Sequence, residues 1–231
     1  MLRQVERNET VTMVKAFAIM LMVMAHAGVY GSAQMFISMF HMPVFFFCSG
    51  YCFKTTYLAD VRSFAVRRVK GIYWTYIQYA LLFLLLHNLF FYLNIYNSEY
   101  GFSGEASFLY DIEAFKSHLL SIVTTMSGHE SLLGGFWFMH TLFFASFIAF
   151  FTIKWMPNKL VGTAFLLLVC VIFKITDTSV LTWVRSLEFM AAAFFVFGHW
   201  YAGQSVEAKG WMAFFMFLVV VAGSRLMPAL C

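Results

Sequence analysis

The chain has 231 residues, of which 62% are hydrophobic, 20% aromatic and only 11% charged, with a formal net charge of +4. Soluble globular domains carry about 25% charged residues, so this chain cannot cover itself with enough polar surface to stay in water. The composition excludes a soluble globular protein and points to one polytopic membrane domain over 1–231, whose small positive charge reports topology and gives no reason to invoke nucleic acid.

Seven intervals are apolar and near the length that crosses a hydrocarbon core of roughly 30 Å: 11–30, 33–53, 72–95, 136–153, 160–176, 184–203 and 210–229. Each is expected to be helical, because hydrocarbon offers no partner for free backbone groups. The expected fold class is all-α, a transmembrane helical bundle of about seven spans.

The first interval contains "KAFAIMLMVMAH", with Lys15 and His26 at its ends. Eleven residues are close to three helical turns, so the two groups share a face about 16 Å apart along the axis. A lysine at a span end can snorkel to the headgroups, and a lone histidine can bond a neighbouring helix. Ionisable groups inside a membrane are nevertheless costly and generally line a cavity or path. The run ends in "AHAG", which mimics a signal-peptide cleavage site, but Glu6, Glu9 and Lys15 do not suit a signal sequence.

The second interval, "FISMFHMPVFFFCSGY", places His41 before Pro43 and ends in Ser49 and Gly50. Proline frees a backbone carbonyl and bends a helix, and a Ser-Gly pair permits close helix packing. Imidazoles in two adjoining helices suggest proton handling, since histidine titrates near neutral pH.

Lys54, Arg62, Arg67, Arg68 and Lys70 follow the second interval, and later short loops hold Lys154, Lys159 and Lys209. The positive-inside rule then predicts a cytoplasmic N-terminus and an outward 97–135 stretch, where Glu99, Glu105, Asp111, Glu113 and Glu130 face the single Lys116. Within it "DIEAFKSHLLSIVTTM" has helical apolar spacing and is expected to lie along the interface. His118, His129, Lys174 and Asp177 are read as solvated groups on that side, and Arg185 and Glu188 as an i,i+3 ion pair, with acceptor binding as the alternative. Cys48 and Cys52 share a helix face, but no metal set surrounds them, and the thiols are read as buried and inert.

The spacing from Lys15 to His26, followed by "FHMPVFFFCSGY", resembles the acyltransferase-3 family of integral membrane acyltransferases, whose members typically begin with an Arg-x10-His helix and an "FHMPLFFFxSGY"-like second helix. "RRVKGIYWTY" (67–76) is similar to the family's basic entry to its third helix, "GGFWFMHTLFF" (134–144) to its "xxWFLxxLF" helix, and "FMAAAFFVFGHWYAG" (189–203) to its "FPFFxxGYxx" helix. The resemblance implies transfer of an acyl group, most often acetyl, from cytoplasmic acyl-CoA to a glycan or lipid-linked acceptor at the inner (plasma) membrane. It casts His26 as the catalytic base, and Lys15, Arg67, Arg68 and Lys70 as the acyl-CoA-binding cations. It implies no resident cofactor and no metal. His41, Ser49, Trp137, His140 and Glu188 form a possible secondary site.

Departures accompany the likeness. Lys15 replaces an arginine, "YWTY" lacks a proline, and His140 stands where the family has a neutral residue, which suits core packing beside Trp137. Family members have about ten spans, so the resemblance implies a C-terminally shortened version of that fold. A transporter using buried histidines and a non-catalytic fragment are the rival readings; the lack of an inverted repeat speaks against the first.

Overall fold

A computed structural model describes residues 9–27, 31–97, 108–179, 184–205 and 209–210; within α1 and α2, the side chains of 26, 32, 33, 35, 36 and 38–40 lie outside the described set. The chain forms α1 (Glu9–His26), α2 (Ser32–Tyr51), α3 (Val61–Arg68), α4 (Trp74–Tyr92), α5 (Ile112–Thr125), α6 (Trp137–Trp155), α7 (Lys159–Thr176) and α8 (Ser186–Ala202), and no strand occurs among the described residues. This is the all-α bundle expected. Three helices have the length and apolarity of a membrane span: Val61–Tyr92, Ser131–Trp155 and Lys159–Thr176. Helices α1, α2 and α8 occupy the expected intervals 11–30, 33–53 and 184–203, while the interval 210–229 lies, Gly210 apart, outside the described residues.

One boundary differs from expectation. The basic stretch after α2 is largely helical: Asp60 caps α3 by accepting from Arg62 N at 2.9 Å, and a π turn over Val69–Tyr73 joins α3 to α4. The cap supplies an acceptor for an otherwise orphaned N–H, and polar periodicity hides this turn from a hydropathy reading. Arg67 and Arg68 therefore sit on a rigid helix and not on a loop.

The core has two lobes. Phe46, Phe64, Phe150 and Phe195 pack with Ala145, Ala149 and Ala191–Ala193 where α2, α3, α6 and α8 meet. Tyr76, Ala80, Leu84, Ile122 and Met126 form the second lobe under α4 and α5. Glycine makes the first lobe possible. A Cβ on Gly50 would run into the Phe195 carbonyl, and one on Gly198 into the Phe47 carbonyl, so α2 and α8 cross backbone to backbone. In lipid, where burial of apolar surface gives no preference for helix association, such close contact supplies the attraction. Conversely, Phe165, Leu168, Val171 and Ile175 of α7 are exposed, as lipid-facing side chains should be.

Helix α1 packs on α2 through Val11, Ala18 and Ala25, each buried and seven residues apart. The seven-residue period keeps one stripe on the partner. Lys15 lies one turn after Val11 and is half-buried, within electrostatic reach of Cys48 on α2.

Candidate active site

Two adjoining cavities open near the end of the bundle where α1 finishes and α2, α6 and α8 begin. The larger, about 560 Å³, is lined by Ala25, Gln34, His41, Phe46, Trp137 and Phe194 among others. The smaller, about 360 Å³, is lined by Ser127, His129, His140, Thr141, Arg185 and Glu188. Trp137 and Leu187 belong to both walls, so they form the partition.

In the larger cavity, His41 precedes Pro43, whose missing N–H leaves the Met39 carbonyl without its helical donor. The His41 ring turns back along its own helix, with Nδ1 2.7 Å from the Ile37 carbonyl. A carbonyl only accepts, so Nδ1 carries a proton and donates it to Ile37. Ala25 contributes the α1 wall, and His26 closes the same turn. The side chain of His26, the expected catalytic base, lies outside the described residues.

The smaller cavity is built around a buried carboxylate. Glu188 accepts from the backbone N–H of Arg185 at 2.8 Å and from the Thr141 hydroxyl at 3.0 Å, and the Nδ1 of His140 approaches its Oε1 at 3.4 Å. This corrects the expected Arg185–Glu188 ion pair: no side-chain ion pair joins them among the described residues. Glu188 instead caps its own helix and faces α6. It corrects the packing role for His140 as well, because that ring lines a cavity beside a carboxylate.

His118 and His129 also depart from the solvated reading. His118 Nδ1 lies 2.9 Å from the Gly128 carbonyl, and Tyr76 Oη reaches His129 Nδ1 at 3.3 Å. Burial, and secondarily the neighbouring His140, push the His129 imidazole below its ordinary range. Met126 and Gly128, both at positive φ, turn the segment sharply enough to present these groups.

Behind that wall lies a network that reading the sequence missed. His87, 1% exposed, places Nδ1 2.8 Å from Glu130 Oε2 and Nε2 2.8 Å from the Phe108 carbonyl. Tyr96 donates to the same Glu130 oxygen at 2.9 Å, and burial, then Glu130, raise its phenol above the ordinary range. The His87 ring stacks on Tyr110 with centroids 3.4 Å apart. A histidine inside "LLFLLLHNLFFY" could have been flagged by the same rule that flagged His26.

The expected donor-side cations sit at the opposite end of the bundle and do not form one cluster. Arg68 points inward, its Cζ 5.1 Å from the Phe64 ring and 5.8 Å from that of Phe195. Arg67 turns outward over Tyr57 at 5.4 Å, and Lys70 is exposed on the π turn. Neighbours in sequence on a helix diverge by about 100°, which separates the two arginines. Among the described residues Arg68 makes no ion pair. Ser49, placed in the possible secondary site, donates to the Phe45 carbonyl at 2.8 Å and lines neither cavity. His41, Trp137, His140 and Glu188 do come together around the partition.

Residues 8–228, nearly the whole chain, match the acyltransferase domain of the acyltransferase-3 family. The chain belongs to that family. It is a membrane protein of acyltransferase type, as the motifs of α1 and α2 implied. None of the curated proteins and none of the solved structures matches it. Within an acyltransferase-3 protein, a carboxylate, several imidazoles and an open-mouthed cavity at one end, and a guanidinium without an ion pair among the described residues at the other, suit opposite demands. The first can handle protons and hydroxyls, and the second can hold an anion.

Proposed function

We propose that this acyltransferase-3 protein moves an acyl group, acetyl in our reading, from cytoplasmic acyl-CoA to a hydroxyl of a cell-envelope or exported glycan. The observation that carries the reading is the wall of the larger cavity: Ala25, in the helical turn that His26 closes, lines an open-mouthed space adjoining a polar one. In this scheme His26 takes the proton of the acceptor hydroxyl as its oxygen attacks the thioester carbonyl. The C–S bond then breaks and the departing thiolate receives that proton. A positioned histidine contributes typically 10²- to 10⁴-fold to such a step.

Lys15, Arg67, Arg68 and Lys70 are proposed to receive the phosphates of acyl-CoA, with Arg68 foremost because its guanidinium is the one turned into the bundle. The proposal needs the basic end to face the cytoplasm of a plasma-membrane protein whose N-terminus is inside. Cysteines introduced at Ser63 and Ser103, in a background without the native four, test this. An impermeant thiol reagent on intact cells should label position 103 and spare 63; the reverse order would overturn the orientation. The chemistry is tested by transfer of labelled acetyl from acetyl-CoA to extracted envelope glycan with purified wild-type protein. Acyl-CoA binding without transfer would favour a non-catalytic role, and neither binding nor transfer a carrier.

A further inference from the structure

The larger cavity has a shape that an acetyl group leaves mostly unused. Helices α2 and α8 touch where Gly50 and Gly198 let their backbones meet, and the cavity occupies the gap on one side of that crossing. Along α2 its lining runs from Gln34, exposed at the mouth, to Phe46, 2% exposed in the core. At 1.5 Å per residue that wall is about 18 Å long. Leu187, Met190 and Phe194 follow at helical spacing on α8, and Ala25 brings in the turn of α1 that His26 closes. The space is a slot parallel to the helices, deeper than a two-carbon group can fill.

Its walls offer few polar partners. No carboxylate, lysine or arginine lines the slot among the described residues. His41 Nδ1 is engaged with the Ile37 carbonyl of its own helix, and Gln34 sits at the exposed rim. A charged or hydroxyl-rich guest would give up hydration for little in return. An unbranched alkyl chain has no such loss, and each methylene it buries strengthens binding by about fourfold. Met42 and Met190, both partly buried, are unbranched and adaptable, so they can close around a chain. The cavity of about 560 Å³ lies within the range of small-ligand pockets, about 300–1,000 Å³.

We infer that the larger cavity is an acyl-chain slot, and that this protein takes acyl-CoA donors with straight chains longer than acetyl. With the thioester carbonyl at the turn that His26 closes, the chain lies between α2 and α8, from Ala25 toward Phe46. The inference rests on the acyl-transfer reading and extends its donor beyond acetyl. Met42 and Met190 are specificity-determining residues here, apart from the reacting atoms.

The test uses wild-type protein in lipid nanodiscs, with empty nanodiscs as the blank. Titration calorimetry should show hexanoyl-CoA binding at least ~10-fold tighter than acetyl-CoA, with butyryl-CoA between them. Met190→Trp narrows the slot and should bring the three affinities together. Hexanoyl-CoA with a diazirine near its chain end locates the chain in the wild type without any variant. On irradiation the peptides holding Met42 and Met190 should be labelled, and excess hexanoyl-CoA should remove the label. Equal affinity for the three donors would overturn the inference. So would label confined to the exposed side chains of α7, label that hexanoyl-CoA does not displace, or an unchanged series in a folded Met190→Trp. Displaceable label in the slot without acyl transfer to glycan would sink the acyl-transfer reading alone. Acetyl transfer without chain-length dependence would sink the slot alone, and failure of every donor to bind would sink both.

Discussion

The two ends of this bundle treat charge in opposite ways. At the cavity end each buried carboxylate has donors of its own: Glu188 takes the Arg185 N–H and the Thr141 hydroxyl, and Glu130 takes His87 and Tyr96. At the basic end Arg68 rests on the rings of Phe64 and Phe195, with no carboxylate partner among the described residues. Removing one member of a buried pair strands the other, whereas an arginine lying on aromatic rings strands nothing when it is lost. The first end is thus committed to the fold, and the second keeps its charge available.

The largest effect expected from that contrast is on stability. Glu130→Ala leaves His87 buried beside an empty position and should destabilise the protein by about 3–5 kcal/mol, the usual penalty for breaking a buried pair. Arg68→Gln should cost no more than about 1 kcal/mol, since it loses only ring contacts. Denaturant or thermal unfolding in the same lipid environment checks both; similar losses in the two variants would break the comparison.

Activity sharpens it. His26→Gln keeps size and polarity but removes the proposed base, so turnover should fall at least ~10²-fold with acyl-CoA affinity nearly intact. Single-turnover and donor-binding measurements separate the two quantities, and an active variant would make His26 a packing residue.

A smaller change is expected from the basic end. Arg68→Gln should raise the acyl-CoA KM roughly tenfold and leave the acceptor KM alone, and it should account for most of the effect of the Arg67/Arg68 double replacement, because Arg67 turns outward. Steady-state titration of each substrate checks this. Equal losses for donor and acceptor would mean that Arg68 only anchors its helix.

The smallest effect is a pH dependence. His129 has its imidazole pKa lowered from 6.5 by burial and then by His140. A depressed histidine binds fewer protons folded than unfolded, so its contribution is fully present above pH 6.5 and is lost as the pH falls below that value. His129→Gln should therefore flatten the acid side of a melting-temperature profile and leave the region above neutrality unchanged. An unaltered acid limb would place the sensitivity elsewhere.

The sequence by itself determined the class of solvent, the helical fold, the positions of α1, α2, α4, α5, α6, α7 and α8, and the family. Those follow from run length, periodicity and contiguous motifs, which are local properties of the chain. It also singled out His41, Trp137, His140 and Glu188 as unusual in apolar surroundings. Only the tertiary structure decided which of them meet. Glu188 faces His140 and not the arginine three residues before it, and Ser49 turns back on its own helix, because α2 and α8 cross backbone to backbone at Gly50 and Gly198. His87 and Glu130 are 43 residues apart and find each other across a turn that no periodicity announces. A chain encodes such pairs in the volumes left over when its helices pack, and volume is a property of the assembled bundle.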